Sequence, residues 1–139
     1  MKPKLFGRLA AAAVLLLSAA TATAHDFEVD GIYYNYNGDG TVMVTCKGGW
    51  YDTYKNEYSG VVTIPSSVSY LDINYDVTSI GLNAFRDCIY LTEVVIPNSV
   101  TSIEQDAFAG CSNLTFVEIP ISVTSIYDGA FFNCSNLTS

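Results

Sequence analysis

A 23-residue self-similarity constrains this chain more than any other feature. Cys88, Cys111 and Cys134 are spaced 23 apart, and so are Pro97 and Pro120. The strings Val77–Ile80, Val100–Ile103 and Val123–Ile126 all read VTSI, and the pairs Ala84-Phe85, Ala107-Phe108 and Ala130-Phe131 keep the same interval. One unit runs LTEVVIPNSVTSIEQDAFAGCSN from Leu91, and the next runs LTFVEIPISVTSIYDGAFFNCSN from Leu114. A fixed period of this length marks an architecture of stacked units, each too small to bury its own apolar side alone.

The apolar pattern within a unit predicts its path. Val117 and Ile119 alternate with Phe116 and Glu118, the period of a half-buried strand. Pro120 ends that strand because it has no N–H for a ladder. VTSI reads as a bend. Ala130, Phe131 and Cys134 then stand at i, i+1 and i+4, which predicts a short helical return. Leu91, Val94, Ile96, Val100, Ile103, Ala107, Phe108 and Cys111 are the expected core of one unit. The predicted fold class is therefore an α/β repeat solenoid, with a strand and a short helical return in each coil.

The frame IP.SVTSI...AF..C, at Ile96–Cys111 and again at Ile119–Cys134, resembles the 23-residue leucine-rich repeats of the BspA type found in bacterial surface proteins. An imperfect copy spans Ile64 to Cys88. There the proline-to-cysteine distance is 23 rather than 14, so nine residues, about 69–77, are inserted. The resemblance covers Val61 to Ser139. It implies a right-handed leucine-rich-repeat solenoid with a role in surface attachment or recognition, and it transfers no catalytic residue.

Residues 25–60 do not repeat. GIYYNY and TVMVTC are β-rich runs joined at Asn37-Gly38-Asp39-Gly40, a hairpin-type turn. A β-hairpin cap over the first coil is the expected role. Trp50 to Tyr58 is expected to be a loop into the first solenoid strand. The expected division is a leader at 1–24, a cap at 25–60 and about three coils at 61–139, the last incomplete. Leu137 opens a further unit whose strand is absent from this sequence, so self-association through an open C-terminal edge is also expected.

The leader has the grammar of an export signal. Lys2, Lys4 and Arg8 precede the apolar run Leu9 to Leu17, and Ala22-Thr23-Ala24 forms an A-x-A cleavage site before His25. That run is shorter than the ~20 residues that span a bilayer. Beyond residue 24 only Lys47, Lys55 and Arg86 oppose 14 acidic residues, so the net charge falls from -8 to 3 − 14 = −11. A chain this acidic disfavours nucleic acid and anionic membrane as partners.

Several residue groups invite a chemical reading. Asn35, Asn37, Asp39 and Gly40 match the start of a calcium-binding loop, yet its twelfth position is Cys46 instead of a bidentate glutamate, which favours a turn. Four cysteines in an exported chain raise disulfides. Three of them share one repeat position, which predicts buried free thiols, with one disulfide or a metal as the alternatives. His25 is the only histidine, so serine and cysteine nucleophiles lack the usual activating base. Glu93, Glu104, Asp106, Glu118 and Asp128 read as a solvated surface, and Asn113 and Asn136 satisfy the N-glycosylation rule only because the repeat recurs.

What remains are positions that vary while the frame stays fixed. Val61 and Thr63, Glu93 and Val95, and Phe116 and Glu118 are expected to point outward on successive strands. Such an array serves repeat proteins as an extended binding face. The expectation is an extracellular or cell-surface binding or adhesion module, with no cofactor and no catalytic role, for a protein or glycan ligand. A non-binding spacer within a longer surface protein is the alternative.

Overall fold

The computed structural model describes residues 25–48 and 56–138, organised as ten strands joined by turns. They are β1 (Phe27–Val29), β2 (Ile32–Tyr36), β3 (Val42–Thr45), β4 (Gly60–Thr63), β5 (Ser67–Tyr70), β6 (Ile73–Ile80), β7 (Leu91–Val95), β8 (Ser102–Ile103), β9 (Phe116–Glu118) and β10 (Ser125–Ile126). Two parallel ladders carry the repeat. One runs β4-β7-β9, and the other runs β3-β6-β8-β10. Corresponding residues of neighbouring units face each other, as Ser79, Ser102 and Ser125 do.

The two ladders enclose the apolar core. All eight residues expected inside one unit are buried, from Leu91, Val94 and Val100 at 0% exposure to Ile96 at 5%. Phe85, Phe108 and Phe131 stack ring on ring, with centroids 4.9 Å and 5.1 Å apart. Tyr58 extends the row, its ring 4.6 Å from Phe85. Its buried hydroxyl donates to the Thr45 carbonyl at 2.7 Å and accepts from the Tyr33 amide at 3.1 Å.

The expected helical return is absent, and the described residues form no helix. In its place hydrogen bonds alternate in direction. The amides of Ala84, Arg86 and Cys88 donate three residues back within their own coil, to Gly81, Asn83 and Phe85. The amides between them, at Asn83, Phe85 and Asp87, donate to Gln105, Ala107 and Ala109 of the next coil. A helix would direct all of these bonds inward to i−4. The departure is set by residues at positive φ, which recur at Asn83, Asp106 and Gly129 and again at Asp87, Gly110 and Asn133. Asn, Asp and Gly are the types that tolerate this left-handed region.

VTSI is also more than a bend. Its last two residues form β8 and β10, and in the first unit the string ends the longer β6. The inserted residues have regular structure of their own. β5 and β6 pair antiparallel around Leu71-Asp72, both at positive φ, making a hairpin. Val77 is fully buried in the frame position of Val100, so the extra residues end before it.

Ahead of the repeats, β1, β2 and β3 form an antiparallel meander, and β3 joins β6 in parallel. The β2–β3 hairpin turns at Asn37–Thr41, as the Asn-Gly-Asp-Gly string predicts. The β1–β2 turn at Asp30-Gly31 was not among the sequence expectations. The 1–24 leader and most of the expected Trp50–Tyr58 loop lie outside the described residues.

Candidate binding face

The β4-β7-β9 ladder brings the six varying positions together. Val61 pairs with Glu93 and Glu93 with Phe116; Thr63 pairs with Val95 and Val95 with Glu118. The six therefore form two parallel rows across three strands. Between them, Val62, Val94 and Val117 form a third row turned inward, with Val94 at 0% and Val117 at 6% exposure. The alternation is enforced by burial: slipping one strand by a residue would turn its valine to water.

The outward rows mix apolar surface with carboxylates. Val61 is 60% exposed and Phe116 40%, while Thr63 and Glu118 are exposed and Glu93 and Val95 partly so. Neighbouring strands lie ~4.8 Å apart, and alternate residues along a strand ~6.6–7 Å, so the whole array fits within ~10 by 7 Å. Among the described residues neither the Glu93 nor the Glu118 carboxylate has an ion-pair or hydrogen-bond partner. The two described ion pairs both belong to Arg86, on the return side, with Asp106 at 3.0 Å and Asp87 at 3.9 Å.

Three neighbours of the face escaped the sequence reading. Register shifts at Gly60/Val61, so Thr92 is left without a β4 partner. Its carbonyl accepts both the amide and the hydroxyl of Thr115, at 3.0 Å and 3.1 Å, and Thr138 repeats the pattern on Thr115. Tyr90, 60% exposed, and Ile121, 99% exposed, flank the strands at either end. The available signal was variation within the frame: Tyr90 stands where later units have Asn113 and Asn136, and Ile121 where the previous unit has Asn98.

The other candidates are placed elsewhere. Asn37 and Asp39 hold the β2–β3 turn, where the Asp39 carboxylate accepts the Thr41 hydroxyl at 2.6 Å and its amide at 3.0 Å. Those hydrogen bonds hold the Asp39 carboxyl below its usual range. Asn35 accepts the Asp26 amide at 2.9 Å. The His25 ring contacts the Lys47 carbonyl at 2.9 Å. Glu104, Asp106 and Asp128 lie off the face, on the return side of the coils. Asn113 and Asn136 are exposed, and the Asn136 amide donates to the Ser112 carbonyl at 2.7 Å.

All four cysteines are free thiols. Cys111 and Cys134 donate to the carbonyls of Phe85 and Phe108, one coil back, at 3.0 Å and 3.1 Å. Burial pushes the Cys88 thiol up to about 11. Contact with the Cys134 thiol, together with burial, raises Cys111. No group of three or more His, Cys, Asp or Glu among the described residues could hold a metal ion.

Residues 63–139 match the family described as "BspA type Leucine rich repeat region (6 copies)". Among solved structures, the chain is similar to a leucine-rich repeat protein from Bacteroides ovatus, with 40% identity over 83% of this chain and a TM-score of 0.71. It is similar also to a leucine rich cell surface protein from Faecalibacterium prausnitzii, with 32% identity over 81% of this chain and a TM-score of 0.65. A third, a leucine-rich repeat protein from Bacteroides capillosus, shares 30% identity over 84% of this chain and 78% of its own length, with a TM-score of 0.67. The chain spans 29% of the length of each of the first two. No curated protein matches it significantly.

Proposed function

Because the chain belongs to the BspA-type leucine-rich-repeat family, we propose that it is an exported binding module whose β4-β7-β9 face contacts an extracellular protein or glycan. One observation carries this reading: Val61, Thr63, Glu93, Val95, Phe116 and Glu118 form a continuous outward array. The residues behind them hold the repeat constant. A frame that fixes its core and varies its surface in register separates folding from recognition. Export rests on the basic start, short apolar run and small-residue cut site of residues 1–24, and surface residence is supported by the cell-surface description of one structural relative.

Retention on immobilised extracellular-matrix proteins and glycans tests the module. The intact chain should be retained by at least one of them, and Phe116→Ala should lose that retention while keeping its fold. A spacer would be retained by none. Mass spectrometry of exported protein should find His25 at the N-terminus, and an intact Met1 would sink the export reading.

A further inference from the structure

Resting on that reading of the face, we propose that its occupant is a cationic segment of extended polypeptide, with an arginine or lysine seated over Phe116 between Glu93 and Glu118. Phe116 is the one aromatic among the six positions, and 40% of it is open to solvent. Glu93 stands beside it on the neighbouring strand, ~4.8 Å away from backbone to backbone, and Glu118 follows two residues on along β9, ~6.6–7 Å away on the same side. A guanidinium or ammonium within ~6 Å of an aromatic centroid is drawn to the ring face. From there it reaches a carboxylate on either side, and an arginine fork can bind one bidentately.

The rest of the face suits the stem and the neighbours of such a residue. Val61 and Val95 give aliphatic surface on which a long cationic side chain lies while its head stays at the carboxylates. The two rows are separated by the distance between alternate side chains of an extended strand, so a peptide lying along β9 meets both rows in step. None of the six positions is a lysine or arginine, and the two carboxylates have no described counter-ion. The charge of −11 beyond residue 24 favours encounter with cationic partners. That same charge disfavours sulfated or carboxylated glycans, for which the face offers no charged donor.

The test titrates the exported chain with a short alternating arginine–valine peptide, a matched glutamate–valine peptide, a heparin-type oligosaccharide and a neutral oligosaccharide, at low and physiological salt. The arginine–valine peptide alone should bind, more weakly as salt rises. The double variant Glu93→Gln/Glu118→Gln should weaken it on the order of tenfold, and Phe116→Ala by a similar factor. The double variant Asp72→Asn/Asp128→Asn removes the same charge from exposed sites off the face and should change affinity by less than about twofold. If both double variants weaken binding equally, net charge alone attracts the peptide and the site is overturned. If the arginine–valine peptide fails to bind while either oligosaccharide binds through Phe116, the cationic inference falls and the binding face stands. If Phe116→Ala and Glu93→Gln/Glu118→Gln both leave every titration unchanged, the face reading falls as well.

Discussion

The regular coils and the region before them reach the same end, a buried aromatic centre, by different means. From Phe85 to Phe131 the centre is one residue type repeated, with rings nearly parallel at 4° and 2°. In the meander and the inserted hairpin it is a cluster of unlike rings around Phe27. Tyr70 stacks on Phe27 at 4.4 Å, Tyr34 at 5.3 Å, and Tyr36 and Tyr75 approach at steeper angles. Phe108 is confined by copies of itself on both sides, and Phe85 by Phe108 and Tyr58. Phe27 is confined by two hairpins whose tyrosines Tyr36, Tyr70 and Tyr75 are only partly buried. Repetition gives neighbours that cannot rearrange independently, whereas the cluster can relax.

Truncation should expose that difference first. Phe108→Ala should cost ~3–5 kcal/mol, because the cavity lies between two fixed rings and the coil cannot collapse into it. Phe27→Ala should sit at or below the lower end, ~3 kcal/mol, since the half-open tyrosines can move inward. Thermal or urea unfolding measures both, and a larger loss for Phe27→Ala would reverse the comparison.

The thiols sharpen it next. At pH 8 Cys88 should alkylate about a hundredfold more slowly than an ordinary thiol, because burial raises it from 9.0 to about 11 and each step is a tenfold loss of thiolate. Its rate should climb with pH up to about 11. Cys134, only half-buried and lowered by the neighbouring Cys111 thiol, should label first among the three frame cysteines. Native labelling of Cys88 as fast as Cys134, followed by mass spectrometry, would show that the coils open.

Glycine substitutions give a smaller contrast. Gly31 and Gly110 both have positive φ, 79° and 77°. A Cβ on Gly31 meets open space, whereas one on Gly110 collides with the Asp87 carboxylate of the preceding coil. Gly31→Ala should cost the backbone strain of ~1–2 kcal/mol, and Gly110→Ala more than that in the same melt. Equal losses would mean that Asp87 swings aside freely. The smallest effect belongs to Phe116→Ala, which should shift stability by no more than ~0.5 kcal/mol.

The strand face was the most legible part of the chain because two signals coincide there. Alternation sets Val94 and Val117 inward, and the 23-residue period then places Glu93 beside Phe116. The return side was misread because Ala130, Phe131 and Cys134 have the spacing of a helical turn, while the bonds that prevent a helix go to another coil. The usable signal lay in Asn83, Asp106, Gly129 and Asp87, Gly110, Asn133, all types that accept positive φ. β8 and β10 are two residues long, too short for alternation to register. The hairpin at Leu71-Asp72 lacks the Asn-Gly or Asp-Gly string that announced the β2–β3 turn.

The alternating amides of the return side also bear on how such a molecule gives way under load. Together with the two ladders, they direct the bonds between coils along the stack rather than around it. Tension applied through the chain therefore meets these bonds one coil at a time, peeling rather than shearing. Each regular coil that yields frees 23 residues, a tether of ~80 Å at full extension, before the next carries force, and the coil with the inserted hairpin frees nine more. A tethered molecule held this way would lengthen in even steps through its regular coils and in a longer one at the inserted hairpin, with the coils not yet peeled still folded.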